Sequence, residues 1–382
     1  MPSPLNVIES KQRLQTLKQV LHRYSAPAAE ALIRREGTEG DVRCFACGHR
    51  CLVKPGRDGV CRVRFNDHGT LLVPHGYVGV LACDPIEKKP FFHVLPGSDA
   101  LTFGMLGCDY HCGYCQNWVT SQMLRDPDAM AGAKLTTPEQ LVQIAIDNGA
   151  PVIASSYNEP LITSEWAVDV FKVAQSRGLK CAYISNGNGT PEVLDFIRPY
   201  VEAYKVDLKT FSDRNYRQLG GVLDNVIATI KNLKQRNFWV EIVTLVVPNF
   251  SDDADDLRRM ADFLASVDPL MPWHVTAFHP DYKFDRQKGF RNTTADDLYK
   301  AVEYGRAAGL KYIYSGNLPG RVGDGENTRC HHCNATVVKR HHFLVTENRV
   351  CADGTCPECN KPIPGIWGKS SGHGDGRIRP LL

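Results

Sequence analysis

No run of apolar residues in this 382-residue chain is long enough to span a bilayer. The opening residues, Met1-Pro2-Ser3-Pro4-Leu5-Asn6, lack the basic-then-apolar layout of a secretory leader. Neither sign of charge dominates: 45 Lys and Arg stand against 42 Asp and Glu, a net of +3, which gives no strong electrostatic case for a nucleic-acid partner. These absences lead us to expect a cytoplasmic protein with no membrane partner. Apolar residues at 43% and charged ones at 23% are ordinary for a folded chain, and the length suffices for one large domain with smaller appendages.

What the chain has in quantity is cysteine. Of its fourteen, only Cys83, Cys181 and Cys351 stand outside tight groups. Such groups in a cytoplasmic enzyme read as metal sites, not as a disulfide framework. The central group lies in Gly107-Cys108-Asp109-Tyr110-His111-Cys112-Gly113-Tyr114-Cys115-Gln116-Asn117. Ordinary four-iron clusters take four thiolates. Cys108, Cys112 and Cys115 supply three, which leaves one iron open to S-adenosylmethionine, whose amino and carboxylate groups can chelate it. An electron passed into the sulfonium then splits a carbon–sulfur bond and gives a 5′-deoxyadenosyl radical. Tyr114 is placed to pack beside the adenine. The alternative is a zinc knuckle with a distant fourth ligand; the residues downstream of the motif favour the cluster.

Two further groups flank it. Cys44, Cys47, Cys51 and Cys61 fall within eighteen residues, with Gly56 and Gly59 supplying turns. A four-thiolate site suits zinc or an auxiliary iron–sulfur cluster. Zinc is slightly favoured, because so short a segment needs a staple to fold. Near the other end, Cys330 and Cys333 are separated by twenty-two residues from Cys356 and Cys359, with β-prone Ala335–Val338 and Phe343–Val345 between. Two such knuckles read as a zinc ribbon. His331, His332, His341 and His342 then lie on the solvated face, and Cys351 is a spare thiol or alternative ligand. The ribbon would dock a partner or cap the mouth of the central domain.

Residues 7–34 show helical periodicity. Short strands are expected at 71–73 and 77–80, and Asp84–Ser98 reads as a surface lead-in. From about 100 to 315, strands at 101–106, 151–155, 181–185, 203–208, 239–247, 273–278 and 311–314 alternate with helices at 137–148, 161–177, 191–198, 222–235, 253–266 and 294–309. That alternation implies a parallel sheet, open or in a partial barrel. Successive strands run into the three cysteines, Ser156–Pro160, Ser185–Gly189, Asp207–Lys209, Pro248-Asn249, His279 and Ser315–Asn317. Polar groups at so many carboxyl ends mark one functional rim.

Roles can be argued from chemistry. Glu159 can accept from the ammonium of a bound methionine moiety, Ser185 and Asn186 can bond ribose hydroxyls, and Gly187 and Gly189 allow close backbone approach. Asp207 and Lys209 share a strand face and can reach the carboxylate end. His279 can reach cofactor or substrate. Each has a plainer alternative: a loop glutamate, an Asn-Gly turn, a salt-bridged pair, a hydrogen-bonded core histidine.

Together these residues resemble the radical SAM superfamily, and in the centre its activating enzymes for glycyl radical enzymes. The fuller resemblance is to the radical SAM component of the AmmeMemoRadiSam system. It rests on the four N-terminal cysteines, Asp84–Pro90 with Leu95–Ser98, Gly107–Trp118, Tyr157–Pro160, Val206–Lys209, Val247–Asn249 and Trp273–Pro280. It covers roughly residues 40–320. It implies an α/β fold, a partial (β/α)6-type barrel, holding a 4Fe–4S cluster and S-adenosylmethionine. By position, Asn158 and Glu159 fall in the amine-binding motif, Ser185 and Asn186 at the ribose or a cation, Asp207 and Lys209 at the carboxylate end, and His279 at the cofactor. The usual Gly-Gly-Glu of that motif is replaced by Tyr157-Asn158-Glu159. The organisation expected is a helical segment 1–40, a four-cysteine segment and lead-in 41–98, the barrel 99–320, the ribbon 326–370 and a tail 371–382. The resemblance further implies a reduced flavodoxin or ferredoxin-type donor and a protein partner or substrate of the same system. Hydrogen abstraction from a partner protein's glycine, and a metal-binding scaffold without radical chemistry, are the competing readings.

Overall fold

Seven short apolar runs, the first six each followed by one or two helices, build the body of the molecule. The computed structural model describes residues 17–37, 39–126, 132–284, 289–368 and 374–382. Its central sheet has nine strands. They are β1 Val80–Pro85, β2 Asp99–Gly104, β3 Val152–Ser155, β4 Lys180–Ser185, β5 Ala203–Asp207, β6 Trp239–Val246, β7 Trp273–Ala277, β8 Ile313–Gly316 and β9 Arg379–Pro380. β2 through β8 are parallel and lie side by side in chain order. An order without reversal, with every crossover on the same hand as such connections take, curls the sheet toward a barrel. The curl stays open: β8 forms one edge, while β1 and β9 close the other in antiparallel pairing.

The connecting helices are α1 Pro138–Asp147, α2 Ser164–Ser176, α3 Pro191–Ile197, α4 Asp213–Leu219, α5 Leu223–Gln235, α6 Ala254–Val267 and α7 Ala295–Ala307. Local signals fix their starts. Thr137 and Gln140 form a capping box on α1, Thr294 and Asp297 one on α7, and Thr190 and Asp253 cap α3 and α6. α4 was not expected from the sequence, because only Tyr216 and Leu219 of it are buried. No helix among the described residues is long and apolar enough to cross a membrane.

Strand alternation sorts the core. Leu101, Phe103, Ile153, Cys181 and Tyr183 face the helices, whereas Ala100, Val152, Ala154, Ala182 and Ala203 face inward. The inward residues are small, and the space they leave is filled by Ile86, Phe91 and Val94. This corrects the surface reading of Asp84–Ser98: the segment plugs the barrel from below. Its charges fit inside because they pair. Lys89 is 4% exposed and donates to Asp84 Oδ2 at 2.8 Å.

The helix expected over 7–34 is shorter. Residues 7–16 lie outside the described residues, a helix covers 17–23, and Ser25–Pro27 turns into a strand against Thr70–Pro74. Pro27 cannot donate within a helix, which explains the stop. Two small antiparallel sheets, 25–27 with 70–74 and 65–67, and 33–36 with 41–44 and 52–53, frame the N-terminal cysteines. The C-terminal knuckles carry a three-stranded antiparallel sheet of Thr328–Arg329, Thr336–His341 and Leu344–Asn348. Of the tail, residues 371–373 lie outside the described residues, and 379–380 add β9 to the main sheet.

Candidate active site

A cavity of about 420 Å³ opens inside the barrel at the carboxyl ends of the strands. Cys108, Cys112 and Cys115 line it together with Tyr114, Asn158, Glu159, Ser185, Asn186, Asp207 and Lys209. Of the cofactor-contacting residues expected from sequence, His279 is the exception: it stands outside this lining, on the exposed side, with Gln116 Nε2 at 3.2 Å from its Nδ1.

The cysteine turn is fastened from several directions. The amide of Tyr110 donates to Cys108 Sγ at 3.4 Å, and Ser121 Oγ lies 3.2 Å from Cys115 Sγ. Arg125 donates to the carbonyls of Cys108 and Val60. On the far side, the turn lies against the end of α4. His111 N–H donates to Leu219 O at 2.9 Å, and Gly220 and Gly221 face His111 and Tyr110. A Cβ at either glycine would come within 2.5 Å of the His111 or Tyr110 ring, so α4 can press on the turn only through glycine. Burial pushes the Cys112 thiol up to about 12 and raises Cys108 and Cys115 as well. Thiols so reluctant to ionise alone become ligands when a metal replaces their protons.

Opposite the turn stands a buried carboxyl. Glu159 accepts from Ser185 Oγ at 2.7 Å, from the Asn186 amide at 2.7 Å and from the Leu161 amide at 3.2 Å. Burial, reinforced by Asp109, pushes it up to about 8. Asp109 is itself bonded by the side-chain amides of Asn186 and Asn188, each at 2.8 Å. Asn158 turns its Oδ1 to the Met105 amide at 3.0 Å and so ties β2 to this loop. The residue before it, Tyr157, adopts φ +68°, the left-handed conformation a glycine takes without cost. The strained backbone is held by its phenol, which receives Lys89 Nζ at 3.1 Å and lies 3.3 Å from Asp84 Oδ2. Burial brings Lys89 down to about 8 despite Asp84. Sequence reasoning missed Lys89, although its place in a charged run between apolar residues was a usable signal.

Lys205 and Asp207 on β5, and Lys209 just past its end, line the cavity together. Asp207 Oδ1 receives Lys205, and Lys209 Nζ lies 3.3 Å from Asp207 Oδ2. Burial works against the Asp207 carboxylate, but Lys205 and Lys209 outweigh it and hold the group below its usual range. Lys205 is a second missed residue, legible from the same period of two. Tyr114 packs edge-on against Phe250, Phe278 and Phe284 and lines the cavity.

The ribbon closes the cavity from above. Glu326, His342 and Phe343 form part of its wall, the last two from the turn between the long ribbon strands. Arg340 anchors that turn: fully buried, it meets Glu87 Oε1 at 3.4 Å, Thr328 Oγ1 at 2.8 Å and the Phe92 carbonyl at 2.7 Å. Burial pushes Glu87 up to about 7 even so. His93 adds a second tie, with ring nitrogens 2.6 Å from the Pro364 carbonyl and 2.6 Å from the Tyr314 hydroxyl. Cys330, Cys333, Cys356 and Cys359 bring their sulfurs within 4.8 Å of one another. His331 instead pairs with Tyr312 at 2.7 Å, and Cys351 is exposed and outside the four-thiol set.

The family model of the radical SAM superfamily matches residues 103–264. An uncharacterized protein of Methanocaldococcus jannaschii is 35% identical over 316 residues, 82% of this chain and 92% of that protein. The pyruvate formate-lyase 1-activating enzyme of Escherichia coli is 28% identical over 229 residues, 54% of this chain and 89% of the enzyme. A solved domain of pyruvate-formate lyase-activating enzyme from Bacteroides vulgatus superposes with a TM-score of 0.38 at 17% identity, over 43% of this chain and 98% of that domain.

Proposed function

The chain belongs to the radical SAM superfamily, and we propose that it cleaves S-adenosylmethionine reductively and abstracts hydrogen from a substrate held beneath the ribbon turn, within an AmmeMemoRadiSam-type system. The observation that carries this reading is the sharing of one cavity by three cysteines in a tight turn, the Glu159 carboxyl and the Lys205–Asp207–Lys209 row. The donor set fits a four-iron cluster: three thiols, no fourth cysteine among the lining residues, and buried phenols of Tyr110 and Tyr114 whose oxygens lack partners.

Cys108, Cys112 and Cys115 would hold the cluster, which when bound supplies the electron that breaks the sulfonium of S-adenosylmethionine. Glu159 receives the ammonium of that cosubstrate, and Asn158 fixes the loop that presents it. Ser185 and Asn186, now bonded to Glu159, exchange that bond for ribose hydroxyls. Lys209, with Asp207 beside it, faces the carboxylate end. His279, joined to Gln116, orients the loop after the third cysteine from outside. The ribbon thiols take zinc. A reduced flavodoxin or ferredoxin-type protein supplies electrons.

Anaerobic reconstitution with iron, sulfide, dithionite and S-adenosylmethionine should release 5′-deoxyadenosine. The reading is overturned if fully iron-loaded protein releases none, or if Cys112→Ala releases as much as the parent. A second reading has support in the names of the relatives, which include activating enzymes: hydrogen abstraction from a glycine of a partner protein. A glycyl radical signal on a co-purifying partner would favour it over a small substrate.

A further inference from the structure

Thiolates that share one tetrahedral zinc at about 2.3 Å must stand about 3.8 Å apart. The ribbon meets that spacing: Cys330 and Cys359 are 3.7 Å apart, as are Cys333 and Cys356. Among the described residues, this is the sole group of three or more candidate ligands with donor atoms all within 4.8 Å of one another. Cys44, Cys47, Cys51 and Cys61 are all described and do not reach that spacing, and neither do Cys108, Cys112 and Cys115. Yet the N-terminal thiols are not strangers. Cys51 and Cys61 face each other across Gly59, where a Cβ would lie 3.7 Å from one sulfur and 3.8 Å from the other.

Their loops also carry the marks of ligands. The Val60 amide donates to Cys51 Sγ at 3.5 Å. In the barrel the Tyr110 amide serves Cys108 Sγ in the same way, at 3.4 Å. Beside Cys44 and Cys61 lies Arg64, 1% exposed, with Nε and Nη1 unpartnered while Nη2 holds Glu165. Two buried donors without partners next to thiols call for negative charge there. Thiolates bound to different irons of a cluster are separated by the metal–metal distance and stand farther apart than thiolates on one ion. Wide spacing with ligand-type loops is the pattern of a cluster.

We propose that Cys44, Cys47, Cys51 and Cys61 hold a second iron–sulfur cluster, not zinc, and that it passes electrons to the barrel site. This rests on the radical SAM reading of the barrel. None of the four lines the reaction cavity, so the group does not meet substrate there. It lies instead against the back of the cysteine turn. The Cys61 carbonyl would be 3.2 Å from a Cβ on Gly107, Arg125 bridges the Val60 and Cys108 carbonyls, and His49 Nε2 is 4.0 Å from Asp109 Oδ2. Cys51 is half-buried and Val60 exposed, which leaves a face for a donor. One electron enters from a reduced flavin or iron–sulfur protein and reduces this cluster by one unit of charge. The same electron then leaves it to reduce the barrel iron, and is consumed in breaking one carbon–sulfur bond.

Metal and sulfide analysis of the anaerobically purified chain tests the metal directly. About six to eight irons with one zinc is the expected result; about four irons with two zincs overturns it. Protein with Cys108, Cys112 and Cys115 all changed to alanine should keep iron, sulfide and a paramagnetic signal on reduction. Loss of all iron with retention of two zincs overturns the proposal without touching the barrel reading. Conversely, no iron remaining after replacement of the four N-terminal cysteines would sink the barrel reading instead. For the relay, the ratio of flavodoxin-driven to dithionite-driven 5′-deoxyadenosine release should fall tenfold or more in Cys51→Ala. An unchanged ratio overturns the electron-passing role.

Discussion

The two four-cysteine groups use the same donor atom and differ in what surrounds it. The ribbon sulfurs converge on a point, and two of them, on Cys333 and Cys359, are exposed or half-exposed on a peripheral sheet. The N-terminal sulfurs are spread, three of the four are buried, and their loop presses on the barrel's own cysteine turn. Counting thiols in the sequence cannot separate these cases. Distance and neighbours can, since one ion demands convergence and a cluster demands separation. The contrast also divides position: one group carries the chamber roof, the other lies against the back of the barrel's cysteine turn.

The largest effect that sharpens this contrast comes from removing one thiol at each place. Cys112→Ala should abolish 5′-deoxyadenosine release, whereas Cys356→Ala should leave the iron content unchanged and strip the zinc. Iron loss on Cys356→Ala would break the division. Next, Arg340→Ala should cost about 3–5 kcal/mol, because it leaves Glu87 buried without its cation. Thermal or denaturant unfolding reads that loss, and adding Glu87→Gln should restore part of it. A chelator offers a gentler probe: it should remove the ribbon zinc well before iron is lost, as followed by a zinc-sensitive dye and by iron absorbance. Simultaneous loss would mean that the two groups are not independent.

The smallest effect concerns a proton. Glu159 sits at about 8 in the free chain and must be ionised to hold an ammonium. Below about pH 8, binding of S-adenosylmethionine should therefore release up to one proton, and affinity should rise as pH climbs toward that value. Calorimetry in buffers of different ionisation heat measures this, and Glu159→Gln should remove it. The sign for stability is opposite. A carboxyl raised in the folded chain binds a proton that the unfolded chain has already lost, so its contribution to stability falls between about pH 4.5 and 8.

Much of the barrel was legible because each strand is a short apolar run bounded by turn residues, and α1, α3, α6 and α7 open on visible caps. α4 was not, since Asp213-Arg214-Asn215-Tyr216-Arg217-Gln218-Leu219 shows too narrow an apolar face, and its value lies in the glycines after it. The lead-in misled for the reverse reason. Charge at Asp84, Lys88 and Lys89 suggests solvent, but opposite charges four and five residues apart can neutralise one another inside. The strand pattern put Ser185 and Asn186 at the rim, yet no periodicity could show that they hold Glu159 in the free chain. The ribbon had two possible uses in sequence, and the burial of Arg340 against Glu87 favours the cap.

With zinc proposed for the four ribbon thiols, the chamber roof that Phe343 and His342 make is a loan from an element whose shape would depend on a different metal. A cell short of zinc but rich in iron would then carry protein able to consume its cosubstrate yet poorly able to shield what that consumption produces. Wasteful turnover, not silence, would be the mark of such starvation.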